Sequence, residues 1–264
     1  MFPVCQSNDW DEPRAARTRR VAAHPDPPIV TAHRDIGSFA PAMDGNVRTV
    51  IELDDAVAVL GGFPAVAGAT LTVSAGEIVL LRGPNGAGKT SLLRLCAGLL
   101  PIVRGSGRVL GLDVATEREA IRPRVGLLGH ANGLYGDLSV AENVGFWGST
   151  IAASPGEIRA ALQRLGLGGR LAELRVRTLS AGERRRTALA CLVARRAELW
   201  LLDEPHAGLD ADGRDELDAV LRQAASSGAT IVVASHELER AGSLASRTVE
   251  VVAGQIKTGR EEQQ

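Results

Sequence analysis

The chain has 264 residues, a formal net charge of -1 at pH 7 and an apolar content of 45%. This length and apolar content can supply the core of one large domain or of two small ones, which is typical of a soluble globular protein. The near-neutral charge provides no overall basic field, so nucleic acid is not expected as a partner.

The first 45 residues differ in composition from the rest of the chain. They are rich in Pro, Arg, Asp and His and show no sustained period, so we predict that residues 1–45 form a disordered tail. Met43 stands just before the first strand-like run, and we hypothesise that it is the natural start, which would leave residues 1–42 out of the native product. The start of the chain lacks the apolar stretch of a signal peptide, so we expect a cytosolic protein with reduced cysteines.

From residue 47 onward, runs with the period of strands alternate with runs of helical period. Residues 47–59 and 66–73 are predicted to form antiparallel strands, residues 77–82 a buried strand that enters a glycine loop, and residues 90–99 the helix that leaves it. The uncharged stretch at 56–76 has the length of a membrane span, but its glycines and its proline indicate two strands joined by a turn.

The second half of the chain is predicted to contain a helical insert and then to return to strands. Residues 126 to about 190 have mostly helical patterns, including a capping box at Ser139 and Glu142. The later patterns predict a strand at 199–202, an amphipathic helix at 215–225 and a strand at 230–234. We therefore predict one α/β domain at 46–264 with a helical subdomain at about 130–190.

A glycine-rich segment lies between the strand at 77–82 and the helix at 90–99. It matches the phosphate-loop pattern at every required position, and we predict that the following residues bind a nucleotide: Gly83, Pro84, Asn85, Gly86, Ala87, Gly88, Lys89, Thr90 and Ser91. Glycines let backbone N–H groups turn toward the phosphates, Lys89 can reach the β- and γ-phosphates, and Thr90 can hold Mg²⁺. The alternative, a glycine turn with a chance lysine, does not explain the strand before it and the helix after it.

Two carboxylates end the apolar strand at 199–202. A strand that emerges from the core can hold Asp203 beside a metal ion while Glu204 faces the γ-phosphate, where it can polarise an attacking water. We therefore predict Asp203 as a Mg²⁺ ligand and Glu204 as the general base. His236 follows the next buried strand, and we predict that it lies at the γ-phosphate as a sensor and transition-state stabiliser. The alternatives are a solvated acidic turn and a capping or surface histidine.

With these motifs in this order, residues 47 to about 258 resemble the nucleotide-binding subunit of an ATP-binding cassette (ABC) transporter. Residues 179–183, Leu-Ser-Ala-Gly-Glu, resemble the signature loop of that family, and residues 205–210 resemble its D-loop, which implies that Asp210 takes part in nucleotide binding. His236 matches the switch histidine of the family. The resemblance implies a P-loop NTPase fold, with an antiparallel β subdomain and a helical insert, that binds and hydrolyses ATP with Mg²⁺. It also implies that two copies close head to tail, so that Ser180 and Gly182 contact the γ-phosphate held by the other copy. The alternative is that the signature residues cap only their own helix.

Three positions depart from the usual pattern of this family. Leu60 stands where many members have an aromatic side chain that stacks on adenine, and Phe63 is the nearest ring. His130 stands where most members have a glutamine; we predict that it meets the γ-phosphate or the attacking water as a catalytic group, although imidazole is a poor substitute for an amide oxygen on Mg²⁺. Glu183 stands where a glutamine is more usual, and nothing in the sequence explains it.

His130, the Ala181 of the signature and the run at 199–205 make the chain similar to the haem exporter ATPase of cytochrome c maturation. This resemblance implies a peripheral ATPase at the cytoplasmic side of the cell membrane, bound to a membrane-spanning permease whose helix enters the cleft behind residues 129–135. Another small exporter of unknown substrate is one alternative, and a regulatory cassette with weak turnover is another. Soluble cassette proteins of translation or DNA repair usually need two cassettes or a long coiled-coil insert in one chain, and the sequence has no basic stripe for nucleic acid.

Overall fold

The computed structural model describes residues 48–257, so the predicted tail at 1–45 and the start at Met43 lie outside the described residues. The strands in this range are β1 (Thr49–Leu60), β2 (Phe63–Ser74), β3 (Ile78–Arg82), β4 (Arg104–Val109), β5 (Leu112–Asp113), β6 (Val125–Leu128), β7 (Leu199–Asp203), β8 (Thr230–Ala234), β9 (Arg247–Val252) and β10 (Gln255–Lys257). The α-helices are α1 (Lys89–Cys96), α2 (Arg118–Ile121), α3 (Val140–Ser149), α4 (Pro155–Arg164), α5 (Ala181–Arg195), α6 (Ala211–Ser226) and α7 (Leu238–Leu244). Short 3-10 turns lie at Arg122–Arg124, Gly169–Glu173 and Val176–Thr178.

Strands β1, β2, β4 and β5 form an antiparallel sheet in the order β2-β1-β4-β5. The predicted hairpin is confirmed, but its strands continue to a tight turn at Gly61 and Gly62. These glycines have φ values of 61° and 86°, which residues with a side chain rarely adopt, so the turn falls where the sequence supplies glycine. The sequence patterns do not predict β4 and β5, because Gly105 and Gly107 interrupt the alternation of β4.

The second sheet has six strands in the order β10-β9-β3-β8-β7-β6. It is parallel except at β10, and the predicted buried strands are confirmed as β3, β7 and β8. Strand β6 corrects the prediction that the helical region begins at residue 126, because Val125–Leu128 pairs with β7 at the edge of the sheet. So short an apolar run cannot be assigned from its period, and only pairing decides its structure. The carboxyl ends of β3, β7 and β8 consequently lie side by side.

Helices α3, α4 and α5 each begin with a capping box. The serine hydroxyl before the helix accepts from a backbone N–H in the first turn, and the glutamate at that position accepts from the serine N–H. The pairs are Ser139 with Glu142, which confirms the predicted box, Ser154 with Glu157, and Ser180 with Glu183. Buried aliphatic side chains such as Val144, Leu162 and Leu189 join these helices to the parallel sheet.

The ends of two helices differ from the prediction. Helix α1 ends at Cys96 rather than at residue 99, because Gly98 adopts a φ of 68° that stops the helix. Helix α6 begins directly after Asp210 rather than at residue 215, because the Asp210 carboxylate caps it by accepting from the N–H of Gly213 at 2.9 Å. Capping residues therefore decide both boundaries.

The described residues form an α/β fold with an antiparallel sheet, a mainly parallel sheet and a helical region, which confirms the predicted fold class. Residues 56–76 lie in β1, β2 and their turns, as expected, and no helix between residues 48 and 257 is long and apolar enough to cross a membrane. Cys96 and Cys191 are buried, and burial raises the pKa of each thiol to about 12. Both thiols are therefore protonated at neutral pH and poor nucleophiles.

Candidate functional site

The phosphate-loop segment lies between β3 and α1 at the carboxyl end of the parallel sheet. Lys89 is only 7% exposed, and its Nζ donates to the carbonyl oxygens of Gly83 (2.7 Å) and Pro84 (3.1 Å). A Cβ at Gly83 would come within 2.1 Å of a carbonyl oxygen of β9, and a Cβ at Gly88 within 2.6 Å of a carbonyl oxygen of β2. Gly88 also has a φ of 104°. The main chain therefore forms a cradle that only glycine permits at these positions.

Thr90 and Asp203 are distant in sequence but lie in contact beside this cradle. The Thr90 hydroxyl donates to Oδ2 of Asp203 at 2.7 Å. Asp203 is the last residue of β7 and is 7% exposed, so the sheet fixes its position. Hydroxyl and carboxylate oxygens are suitable ligands for Mg²⁺, so the donor chemistry of this pair fits the predicted ion.

Glu204 turns from the end of β7 toward the end of β8. Its N–H donates to the Ala234 carbonyl at 2.8 Å, and its Oε2 accepts from the His236 N–H at 3.2 Å and from the Ser235 hydroxyl at 3.4 Å. Nε2 of His236 lies 3.5 Å from Oε1 of Glu204. That Oε1 atom is buried and has no hydrogen-bond partner among residues 48–257. Since buried polar atoms are normally paired, an unpaired carboxylate oxygen here indicates a position suited to a water or a substrate proton.

His130 is not joined to this group. It lies in the loop after β6 with an exposed side chain, and in the described part of the chain that side chain makes no hydrogen bond. The same loop contains Asn132, whose Oδ1 accepts from Arg185 of α5 at 2.9 Å. No sequence motif points to Asn132 or Arg185. The sequence feature that could have indicated a buried arginine is its position on the apolar stripe of α5, at helical spacing from Ala188 and Leu192.

The signature residues lie at the start of α5. The Ser180 hydroxyl accepts from the Glu183 N–H at 3.2 Å, and Glu183 Oε2 accepts from the Ser180 N–H at 2.7 Å. These hydrogen bonds lower the pKa of Glu183. Within residues 48–257 no hydrogen bond joins residues 179–183 to the phosphate loop. In a single chain, these residues therefore cap their own helix, and Glu183 has a role in that cap that a glutamine could also fill.

The segment after Glu204 carries a second polar group that sequence analysis does not single out. His206 is buried, and its Nε2 lies 2.8 Å from Oδ1 of Asp218 in α6. Oδ2 of Asp218 accepts from Arg240 of α7 at 2.6 Å. Asp210, at the end of the segment, caps α6 and is exposed. Asp218 thus links the predicted D-loop to the helix that follows His236.

The tip of the first hairpin is apolar and open. Leu60 and Phe63 are cross-strand partners, and they are 47% and 76% exposed. Near them, Ala65 of β2 lies against Gly88 of the phosphate loop. The hairpin therefore approaches the cradle, with an exposed ring two residues from the point of contact.

A groove of about 630 Å³ lies between the parallel sheet and the helical region. Its lining includes Leu127 of β6, Asn132 and Leu134 of the following loop, and Trp147 of α3. The guanidinium of Arg195, which also lines the groove, lies 4.9 Å from the centre of the Trp147 ring. The groove is adjacent to the predicted cleft behind residues 129–135.

Sequence comparison finds one family and a set of similar proteins. A family model described as ABC transporter matches residues 66–207. The cytochrome c biogenesis ATP-binding export protein CcmA of Rhodopseudomonas palustris is 42% identical over 178 residues, which cover 67% of this chain and 87% of that protein. Its counterpart in Paramagnetospirillum magneticum is 42% identical over 182 residues, covering 67% and 83% of the two chains.

Solved structures with a similar fold include an ATP-binding subunit of an ABC transporter, which superimposes with a TM-score of 0.73 at 25% identity and covers 81% of this chain and 91% of that chain. A dimeric ATP-binding cassette in a post-hydrolysis state, bound to ADP and Pi, gives a TM-score of 0.73 at 23% identity. That match covers 81% of this chain and 100% of the other, and it supports the fold alone.

Proposed function

Because this chain belongs to the ABC transporter family, in which it is an ATP-binding and ATP-hydrolysing subunit, we propose that it drives an export step of cytochrome c biogenesis. The proposed cargo is haem, carried by a separate membrane-spanning subunit, with this chain bound peripherally at the cytoplasmic side. The relatives named for this process support the proposal, since the alignment covers most of their length.

One observation carries the hydrolytic part of the proposal: Glu204, whose buried Oε1 is unpaired among residues 48–257, directly follows Asp203, and Asp203 accepts from Thr90 at the start of the helix after the glycine cradle. In this proposal Lys89, Ser91 and the loop N–H groups bind the phosphates of ATP. Thr90 and Asp203 hold Mg²⁺, which when bound neutralises negative charge on the phosphates.

Glu204 acts as the general base for the attacking water. Its Oε2 is held by the His236 N–H and the Ser235 hydroxyl, so Oε1 is the oxygen left to accept the proton. The His236 ring, within 3.5 Å of Oε1, is suited to donate to a γ-phosphate oxygen. For His130 we propose a contact with the γ-phosphate or its water once the loop after β6 closes on ATP.

The complete site requires a second copy of the chain. Ser180 is exposed, and it lies at the N-terminus of α5, a helix of 15 residues whose dipole and N–H groups favour an anion. We propose a head-to-tail homodimer in which Ser180 and Gly182 of one copy contact the γ-phosphate held by Lys89 of the other. Asp210, exposed at the end of the D-loop, then lies at the boundary between the copies.

The groove between the parallel sheet and α3 is the proposed docking site for the membrane subunit. Its lining is mainly apolar, and Arg122 and Arg195 also line it. An amphipathic helix with an acidic residue at its edge fits this lining, because its apolar face covers the groove while its carboxylate meets an arginine.

The substitution Glu204→Gln tests the chemical assignment. It preserves the shape of the side chain but removes the base, so we expect kcat to fall by at least about 100-fold while the Kd for ATP changes by less than about twofold. Glu239→Gln, the same change at an exposed glutamate of α7, is the control and should leave hydrolysis unchanged. Hydrolysis by Glu204→Gln at the unmodified rate would remove Glu204 from the proposal.

Genetic complementation tests the process. Deletion of the gene should abolish c-type cytochromes, and the unmodified chain should restore them where the Glu204→Gln chain does not. If c-type cytochromes persist after deletion, the chain energises an exporter of another substrate. If the Glu204→Gln chain restores them as well as the unmodified chain, ATP binding without turnover is sufficient, as expected for a regulatory cassette.

A further inference from the structure

Arg185 of α5 is a buried cation with five hydrogen bonds. Its residue is only 4% exposed. A guanidinium has five N–H donors, so each donor has one acceptor here, and none of these acceptors is a carboxylate. Burial lowers the pKa of Arg185 to about 10, and the charges of Asp203 and Glu204 oppose that effect. The group is therefore charged at neutral pH, and its neighbours satisfy it through main-chain and amide oxygens.

Three of the acceptors are consecutive carbonyl oxygens at the end of β7. Arg185 donates to the carbonyls of Asp203 at 2.7 Å, Glu204 at 2.6 Å and Pro205 at 3.2 Å. Glu204 has a φ of 49°, which is uncommon for a residue with a side chain and persists only where surrounding contacts hold it. Its carboxylate faces His236 in this conformation. Arg185 is therefore the side chain that binds the strained main chain of the proposed base.

The other two acceptors belong to the loop after β6. Arg185 donates to the Gly129 carbonyl and to Oδ1 of Asn132, each at 2.9 Å. Asn132 also lines the groove proposed as the docking site of the membrane subunit. One rigid, planar group thus binds the main chain of Glu204 and the wall of the groove at the same time.

We propose that Arg185 is a positioning residue that holds Glu204 in its active conformation and couples that conformation to Asn132 at the groove. This inference rests on the proposed role of Glu204 as the base. A helix docked in the groove would act on hydrolysis by displacing Asn132, because Arg185 cannot follow Asn132 without loosening its bonds to the carbonyl oxygens at the end of β7.

The principal test compares Arg185→Lys with Arg186→Lys in the full chain. A lysine keeps the charge but has three donors on one nitrogen, so it cannot bridge both segments. For Arg185→Lys we expect kcat to fall by at least about tenfold with a KM for ATP within about twofold of the unmodified value, because a small displacement of a catalytic group lowers turnover steeply. Arg186 is the neighbouring arginine, with no side-chain hydrogen bond among residues 48–257, and Arg186→Lys should leave both constants within about twofold.

A double-mutant cycle tests the link to the groove. Asn132→Ala removes the acceptor on the groove side and should lower kcat by about threefold in the unmodified background, since one of several bonds is lost. In the Arg185→Lys background the same change should have no further effect, because Asn132 acts through Arg185. Thermal unfolding of each variant shows whether the chain still folds.

Three outcomes would overturn the inference. The first is a kcat for Arg185→Lys within about twofold of the unmodified chain; the second is a parallel loss of ATP affinity and thermal stability, which would indicate a purely structural residue. The third is additivity of Arg185→Lys and Asn132→Ala. If Arg185→Lys does not fold, Asn132→Ala alone decides, and an unchanged kcat refutes the coupling. Glu204→Gln, measured in parallel, separates the proposals: if it is inactive while Arg185→Lys is fully active, the base is retained and only the positioning role fails.

Discussion

The phosphate loop and the signature segment both lead into the N-terminus of a helix, but they are built differently. In the phosphate loop, Lys89 and Thr90 already contact groups of the same chain, and glycines leave an open cradle. In the signature segment, the Ser180 hydroxyl is exposed and is engaged only with its own helix. The phosphate-loop half of the proposed site is therefore assembled within one chain, whereas the signature half contributes only when a second copy binds.

The largest expected effect comes from closing the cradle. In Gly88→Ala the new Cβ would come within 2.6 Å of a carbonyl oxygen of β2, and the φ of 104° would become strained. We expect ATP affinity to fall by at least about 100-fold, because the loop must move before its N–H groups can bind phosphate. Isothermal titration with ATP measures the effect.

Gly86→Ala is the matched control for that variant. Gly86 has a φ of 78°, but a Cβ there would have no heavy atom within 4 Å. The cost should be limited to backbone strain of about 1–2 kcal/mol, so the loss of affinity should be clearly smaller. Equal losses in the two variants would show that the shape of the cradle is not the cause.

The next effect concerns the signature half. Ser180→Ala removes the cap of α5 and, in the proposed dimer, a contact with the γ-phosphate of the other copy. We expect a fall in kcat of at least about tenfold with about 1 kcal/mol of lost stability. ATPase assays and urea unfolding measure the two quantities separately.

Ser154→Ala removes the same type of capping box from α4. It should cost a similar free energy of unfolding, about 1 kcal/mol, and leave hydrolysis unchanged.

A mixture of Ser180→Ala and Lys89→Ala chains should recover part of the activity, since one of the two sites in a mixed dimer is complete. If the mixture stays inactive and Ser154→Ala is as impaired as Ser180→Ala, the signature acts only as a cap.

A smaller effect concerns the stability of the parallel sheet that carries the phosphate loop, Asp203 and Glu204. Arg124, just before β6, forms a two-pronged ion pair with Glu198, just before β7, at 2.5 and 2.8 Å. The hydrogen bond from Arg124 lowers the pKa of Glu198, so the pair stabilises the folded chain above the ordinary carboxyl pKa of about 4.3 and loses that effect as the pH falls through the lowered value. Arg124→Gln should therefore reduce the free energy of unfolding by about 1–2 kcal/mol at neutral pH, with a difference that shrinks below about pH 4.

Urea unfolding at several pH values measures this difference. Arg104→Gln is the control, because the side chains of its ion pair with Asp55 are 69% and 59% exposed. It should change stability by less than about 0.5 kcal/mol at any pH. A gap between Arg124→Gln and the unmodified chain that grows on acidification would contradict the assignment.

The smallest expected effect concerns the adenine of ATP, at the tip of the first hairpin. Leu60 is 47% exposed at the hairpin tip, where an aromatic ring could stack on adenine. Leu60→Tyr should tighten ATP binding by about three- to tenfold, corresponding to about 0.5–1.5 kcal/mol of ring stacking. Titration with fluorescent ATP measures the affinity, and Phe63→Leu is the companion variant. Unchanged affinity in Leu60→Tyr would indicate that adenine does not reach this tip.

Local sequence was sufficient to predict those parts whose chemistry lies in neighbouring residues. The phosphate loop, the capping box at Ser139 and the buried strand before Asp203 follow from spacing and apolar runs, because each depends on contacts a few residues apart. Strand β6 could not be predicted in this way, because its short apolar run becomes a strand only by pairing with β7. The spacing of Ser180 and Glu183 is the same as that of Ser139 and Glu142, and the structure shows that the Ser180 hydroxyl accepts from the Glu183 N–H.

By itself the sequence predicted the nucleotide chemistry of this protein, namely which residues bind phosphate, hold a cation and accept a proton, and its signature resembles that of the ABC family that the chain matches. Tertiary structure alone decided how these groups are held. The contact of Thr90 with Asp203 and the five bonds of Arg185 join segments far apart in the chain, and such contacts depend on strand order and burial rather than on local spacing. A buried cation such as Arg185 has no local signature other than its place on an apolar stripe, because its partners are main-chain oxygens that every residue carries.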